Sequence, residues 1–209
     1  MQRFTNSAVM KNMSRHLLRD GPRVLTVDQP CDVFINHRSI DTKKTFSGLL
    51  FQYLSHHDIK CFLDSKSMKP GDRLFDNINR AIHGCKVGVA VLSPRYCHST
   101  YCLHELALML ETKKRVIPIF YDVIPSQLRV MSKGSSMACS SRDLERYKWA
   151  LEETQNTVGL LFDPSKQDWS ELLRNASNAV IKNLMEVEEE NWSPSISNVI
   201  SEKNPLINN

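Results

Sequence analysis

Tyr101 and Glu105 are the residues of this chain best placed to do chemistry, four positions apart in Tyr101-Cys102-Leu103-His104-Glu105-Leu106. Residues at i and i+4 share one face of a helix, so a ring able to stack on a flat heterocycle stands beside a carboxylate. That pairing suits a planar, cationic ligand. Ser99 or Thr100 offers a hydroxyl to cap the start of the helix. Just upstream, residues 87–92 form a short apolar run closed by Ser93-Pro94, which reads as a strand. The motif therefore follows the C-terminal end of a strand, the edge at which open α/β sheets bind ligands.

Holding such a pair in place takes a sheet. Residues 31–35, 59–63, 87–92, 116–120 and 158–162 read as five short apolar strands. Helical periodicity separates them. Phe46, Leu49, Leu50, Tyr53 and Leu54 share one face; Leu74 or Phe75, Ile78 and Ile82 share another. Leu103, Leu106, Ala107 and Leu110 face inward on the motif helix, residues 142–154 are helical in composition, and 168–185 bring in Trp169, Leu172, Leu173, Ala176 and Val180. Residues 65–72 form a polar loop with Lys66, Lys69 and the Pro70-Gly71 turn, Asp72 caps the helix after it, and 121–141 are loop-rich. Strands alternating with helices predict an α/β fold: a five-stranded parallel sheet in flavodoxin-like order with helices on both faces. Three regions follow: a basic, flexible N-terminal extension over 1–29, the folded domain over 30–186, and a disordered acidic and polar tail over 187–209.

The bulk numbers exclude several classes. A chain of 209 residues with 41% hydrophobic content suits one domain of about 150 residues plus extensions. Its net charge of +4 permits contact with phosphates or nucleic acid without calling for it. None of the six cysteines forms a CxxC pair, and Cys31, Cys61 and Cys85 lie in or beside apolar runs as buried thiols of a reducing compartment. No secretory apolar segment occurs in the first 30 residues, and no run nears the roughly 20 apolar residues of a membrane span. A cytoplasmic or nucleocytoplasmic protein without membrane contact is expected, its Asn-x-Ser sequons at Asn12, Asn175 and Asn191 idle. GxGxxG, GxxxxGK[ST], GxSxG and HExxH are all missing, so no dinucleotide fingerprint, P-loop, hydrolase elbow or zinc helix is present. His56-His57 reads as a polar helix end and His104 as an exposed helix residue.

Laid out in order, these blocks resemble a plant TIR (Toll/interleukin-1 receptor) domain. Asp32-Val33-Phe34-Ile35-Asn36-His37-Arg38-Ser39-Ile40-Asp41-Thr42 is similar to the family's opening D-V-F-L-S-F-R-G-x-D-T, and Cys61-Phe62-Leu63-Asp64 to its second-strand F-x-D. The loop to Asp72 looks like the family's BB loop. Val91-Leu92-Ser93-Pro94-Arg95-Tyr96 resembles the S-x-x-Y turn and Tyr101 to Leu106 the W-C-L-x-E-L motif. Ile117-Pro118-Ile119-Phe120-Tyr121-Asp122-Val123 with Pro125-Ser126 resembles I-P-I-F-Y-x-V-x-P-S. The resemblance covers about residues 31–185. Without a P-loop module after it, the chain looks like a TIR-only immune protein.

What the resemblance implies is an NAD+ glycohydrolase in plant innate immunity and cell-death signalling. It would be active on self-association, with NAD+ as substrate and no further cofactor or metal. The family's catalytic glutamate falls on Glu105. Its F-R-G arginine falls on Arg38, a bidentate partner for phosphate. Ser93 and Tyr101 complete the substrate-binding set, with the active site between Glu105 and the 65–72 loop. Cys102 matches a cysteine tied to a second activity, nucleic-acid-dependent synthesis of 2′,3′-cyclic nucleotides. A different reading stays open beside these: a non-catalytic scaffold that pairs with other TIR domains. Three departures bear on the choice: Tyr101 replaces the motif's tryptophan, Asn36-His37-Arg38-Ser39 replaces S-F-R-G, and Ser47-Gly48 replaces the Ser-His pair of the self-association surface.

Overall fold

Side chains along a strand point alternately to opposite faces, and that parity sorts the core into two halves. A computed structural model describes residues 31–63, 67, 71, 73–130 and 140–202. The expected extension over 1–29, nearly all of the 65–72 loop, Asp72, Cys139 and the last residues of the tail lie outside the described residues. The elements are β1 (Val33–His37), α1 (Ser39–Thr42), α2 (Phe46–His56), β2 (Cys61–Phe62), α3 (Leu74–Gly84), β3 (Val87–Leu92), α4 (Thr100–Glu111), β4 (Arg115–Tyr121), α5 (Ser141–Gln155), β5 (Leu160–Phe162) and α6 (Trp169–Glu202). Short 3-10 turns precede α4 at Tyr96–His98 and follow β4 at Pro125–Gln127.

All five strands are parallel in the order β2-β1-β3-β4-β5, the flavodoxin-like arrangement. β1 registers Val33 against Cys61 on one side and against Val87 on the other. Phe34, Ala90, Leu92 and Phe120 face α3, α4 and α5 in one apolar cluster, with Ile82, Leu103, Leu106 and Leu151. Val33, Ile35, Val87, Val89, Val91 and Ile119 face α2 and α6 in the other, against Phe46, Leu50, Leu54, Ala176 and Val180. The switch in strand order lies between β1 and β3, so the end of β1 opens onto the ligand edge.

Several elements differ from the sequence reading. On α2 the buried face is Phe46, Leu50 and Leu54, while Leu49 and Tyr53 are exposed. The apolar stripe is wider than the sheet beneath it, and the Tyr53 ring packs on His57 instead, 4.7 Å between centroids. β2 is two residues long, and β5 starts at Leu160 with Val158 fully in solvent. The expected tail from 187 is corrected most: α6 runs on to Glu202. Its acidic run is ion-paired. Glu186 and Glu190, one turn apart, both bond Arg115 at the start of β4. Glu188 Oε1 lies 2.9 Å from Lys86 Nζ, which also meets Asp32 Oδ1 at 3.0 Å. Bases at the strand starts thus carry the helix past the core.

Gly48 shows why the first helical segment breaks. The chain leaves the helical region at Thr45 (φ −123°, ψ −118°), so α1 and α2 do not merge. The Lys43 carbonyl then overhangs position 48, where a Cβ would sit 2.5 Å from that oxygen. Gly48→Ala is expected to lower stability by about 1–3 kcal/mol through this overpacking, and Gly48→His by more. Guanidinium unfolding of the two variants checks it, and a midpoint unmoved by the alanine would refute it.

Candidate active site

Period-2 alternation puts Asn36 on the same side of β1 as Phe34, facing α4, at a position where an apolar residue would otherwise pack. It is fully buried, so its amide needs partners. Asn36 Nδ2 donates to Glu105 Oε2 at 2.7 Å and lies 3.1 Å from the Cys102 carbonyl. Asn36 Oδ1 accepts from the Tyr96 hydroxyl. Tyr96 is itself fully buried in the 3-10 turn after β3. Burial, followed by the nearby Cys102 and Glu105, pushes that phenol well above the ordinary tyrosine range, so it keeps its proton and acts as donor.

Ser99 caps α4, its hydroxyl accepting from Cys102 N at 3.3 Å. That fixes the first turn and aims Glu105 inward, 8% exposed, at the end of the sheet. Tyr101 goes the other way. It is 46% exposed and stacks on Phe75 of α3, centroids 5.2 Å apart and planes 20° from parallel. The expected side-by-side pair is therefore divided between interior and surface, with Phe75, which periodicity offered as an alternative to Leu74 for the inward face, as a second ring beside Tyr101.

Arg38 follows β1 in extended conformation, so it continues the alternation two residues past Asn36, about 7 Å along the strand. Its Nε is buried and has no hydrogen-bond partner among the described residues. A guanidinium edge left in that state is a ready anion site. Ser93 has a different job from the one expected. It is fully buried and donates to Asp41 Oδ2 at 2.6 Å. Asp41 also takes the Arg95 backbone N–H at 3.1 Å and Arg95 Nε at 2.6 Å. The Ser93 proton is thus spent inside the fold, and the cluster clamps α1, which carries Arg38, to the turn after β3. Cys102 is 5% exposed, its Sγ donating to the His37 carbonyl at 3.3 Å. It packs α4 onto β1. The other described cysteines are free and buried, and no group of three metal-ligating side chains forms among the described residues.

His104, read as an exposed residue, joins three helices instead. Arg146 Nη1 of α5 lies 3.1 Å from His104 Nδ1, and Asn79 Oδ1 of α3 lies 3.3 Å from Nε2. A guanidinium can only donate, so Nδ1 is the acceptor and Nε2 bears the proton. The Phe75 ring meets the imidazole edge-on, and Arg146 is paired with Glu111 at 2.6 Å. Burial, then Arg146, lowers the His104 pKa, against the opposing pull of Glu111 and Asp143.

Residues 31–198 match the family model for the TIR domain. A Brachypodium distachyon protein named probable 2′ cyclic ADP-D-ribose synthase BdTIR is 47% identical over 158 residues, 75% of this chain and 70% of that protein. TMV resistance protein N of Nicotiana glutinosa is 33% identical over 150 residues, 66% of this chain and 13% of that protein. Among solved structures, the TIR domains of the activated Roq1 resistosome recognizing the effector XopQ align at a TM-score of 0.63 with 30% identity, over 72% of this chain and 99% of that one. No helix among the described residues is long and apolar enough to cross a membrane.

The His104 geometry sets a pH dependence. The folded state holds the imidazole neutral below the ordinary value, whereas the unfolded chain takes up its proton near pH 6.5. The stability contributed by this junction is complete above pH 6.5 and is lost as the pH falls from there toward the lowered folded value. Urea midpoints at pH 7.5 and 5.5 should diverge less in His104→Gln than in the parent chain. Equal divergence would remove His104 as the cause.

Proposed function

The chain belongs to the TIR domain family, and on that premise we propose that it cleaves the nicotinamide–ribose bond of NAD+, with Glu105 as the catalytic carboxylate. Its products would be ADP-ribose-type nucleotides that signal in plant innate immunity and cell death, and self-association would activate it. The observation that carries the proposal is the buried Glu105 carboxylate, held by Asn36 at the end of β1, with Arg38 two residues further along the chain and its Nε without a partner among the described residues. The name of the Brachypodium relative supports the chemistry, because a cyclic ADP-ribose needs an ADP-ribosyl donor with a leaving group.

NAD+ supplies that donor. As the C1′–N bond breaks, its electron pair passes to the pyridinium nitrogen and nicotinamide leaves neutral, so no acid is needed to protonate it. Ordinary glycoside cleavage requires a second carboxyl for that purpose. The ribose carbon becomes cationic, and a fixed negative charge in a dry site stabilises it most effectively. Water attacking C1′ yields ADP-ribose, while an internal hydroxyl yields a cyclic form; each releases one proton. Arg38 grips the pyrophosphate through its fork. The Tyr101–Phe75 surface offers a ring face to a base of the substrate. The Roq1 TIR domains, similar in fold, come from an oligomeric assembly, which supports association as the activating step.

Glu105→Ala should cut nicotinamide release at least about 100-fold with the folded state intact by circular dichroism. Turnover per chain should rise with protein concentration. Unchanged release by the alanine variant sinks the Glu105 assignment, and flat specific activity sinks activation by association. Arg38→Ala should raise KM for NAD+ by about 10-fold or more, the worth of charge-assisted hydrogen bonds, with Arg38→Lys in between. An unchanged KM would remove Arg38 from the substrate site.

A further inference from the structure

We propose that Asn36 is the positioning residue of this active site, its side-chain NH2 fixing the Glu105 carboxylate while its amide oxygen accepts from Tyr96; the inference rests on Glu105 being the catalytic group. An asparagine amide can present either its oxygen or its nitrogen, and the two are nearly the same shape. Presented to a carboxylate, the nitrogen donates and the oxygen repels. Nothing in Asn36 itself selects between them.

The neighbours of Asn36 make the selection. The Tyr96 hydroxyl is fully buried, donates to Asn36 Oδ1 and lies 3.1 Å from the Cys102 carbonyl. A protonated phenol can donate or accept, but the Glu105 carboxylate and the Cys102 carbonyl only accept, so they draw Nδ2 and leave the amide oxygen to the Tyr96 proton. The NH2 finds Glu105 Oε2 at 2.7 Å and the Cys102 carbonyl at 3.1 Å, so both of its hydrogens have acceptors. The three side chains come from β1, the turn after β3 and α4, and each is buried. Glu105 thus has one Oε2 position, set by strand geometry and not by its own rotamer freedom.

The consequence is catalytic as well as structural. A carboxylate with several rotatable bonds has to be ordered opposite the ribose carbon at each turnover unless the protein has done so beforehand. The Asn36 NH2 also gives the buried carboxylate a hydrogen-bond donor where burial has removed water. The family pattern has serine at this position, as read in S-F-R-G. A serine side chain ends one bond shorter and cannot donate to a carboxylate through one atom while accepting from Tyr96 through another.

Steady-state nicotinamide release by Asn36→Ala, Asn36→Asp, Tyr96→Phe and Glu105→Ala, at one protein concentration and with thermal melts alongside, tests the proposal. Asn36→Ala and Tyr96→Phe should lower kcat about 10- to 100-fold, with KM for NAD+ within about threefold. Asn36→Asp sets two carboxyls against each other, so the pair holds a shared proton to higher pH and the acidic limb of the pH–rate profile moves up. A merely structural role would shift the melts and leave that limb in place. Folded variants with parental kcat and an unmoved limb, beside an inactive Glu105→Ala, overturn the role of Asn36 alone. Retained activity in Glu105→Ala overturns the catalytic assignment beneath it. Should Asn36→Ala fail to fold, Tyr96→Phe, which keeps the ring and removes only the hydroxyl, decides the matter.

Discussion

The hydrogen bond between Asn36 and Glu105 is the constraint around which this end of the domain is built. A carboxylate at 8% exposure has lost most of its hydration, a loss of several kcal/mol if nothing replaces it. A charge-assisted hydrogen bond returns about 1.5–3 kcal/mol net. The donor must therefore sit within a few tenths of an ångström of its place, and that place is near the C-terminal end of β1. Position depends in turn on β1 lying between β2 and β3 in register, with Asn36 opposite Ala90. The parallel sheet is what makes the carboxylate tolerable.

Everything that fixes β1 and the turn after β3 then acts on the site at one remove. Asp41 gathers Ser93 and Arg95 and closes α1 over the end of the strand, so Arg38 is carried by a clamped segment. Cys102 ties α4 to the His37 carbonyl from the side opposite Glu105 in sequence. Beyond them a neutral His104 joins α4 to Asn79 of α3 and to the Arg146 guanidinium of α5, and Arg115 and Lys86 tie the far end of α6 to the strand starts. The carboxylate side is buried and hydrogen-bonded, whereas Tyr101 and Phe75 stack at the surface.

How much of this the sequence disclosed follows from the separation of the partners. Periods of two and 3.6 are local, and they gave the five strands and the inward face of α4; residue type offered Ser99 or Thr100 as its cap, and the structure uses Ser99. Glu105 was legible because its motif is contiguous. Its donor was not, since Asn36 lies 69 residues away and Tyr96 60 residues from Asn36. One signal was there: an asparagine with the parity of Phe34 on a buried strand must have a partner, and the polar groups opposite are few. The Ser93–Asp41 bond, spanning 52 residues, turned an expected ligand contact into a structural one. The acidic run 186–190 looked solvated because its partners, Arg115 and Lys86, sit at strand starts that only the folded sheet brings beneath it.

The departures from the family pattern separate into buried and exposed. Asn36 in place of serine gives the buried Glu105 carboxylate a donor while its amide oxygen accepts from Tyr96. Tyr101 in place of tryptophan lies at the surface, where Phe75 restores ring area by stacking beside it. Gly48 is demanded by the Lys43 carbonyl above it, so its lack of a side chain reflects the backbone path between α1 and α2. A histidine there could not be accommodated without moving that segment, and with it Asp41 and Arg38. If α2 serves as a self-association face, as the family resemblance implies, its contacts would be other than a stacked ring at 48, and the exposed Leu49 and Tyr53 are the apolar groups it offers.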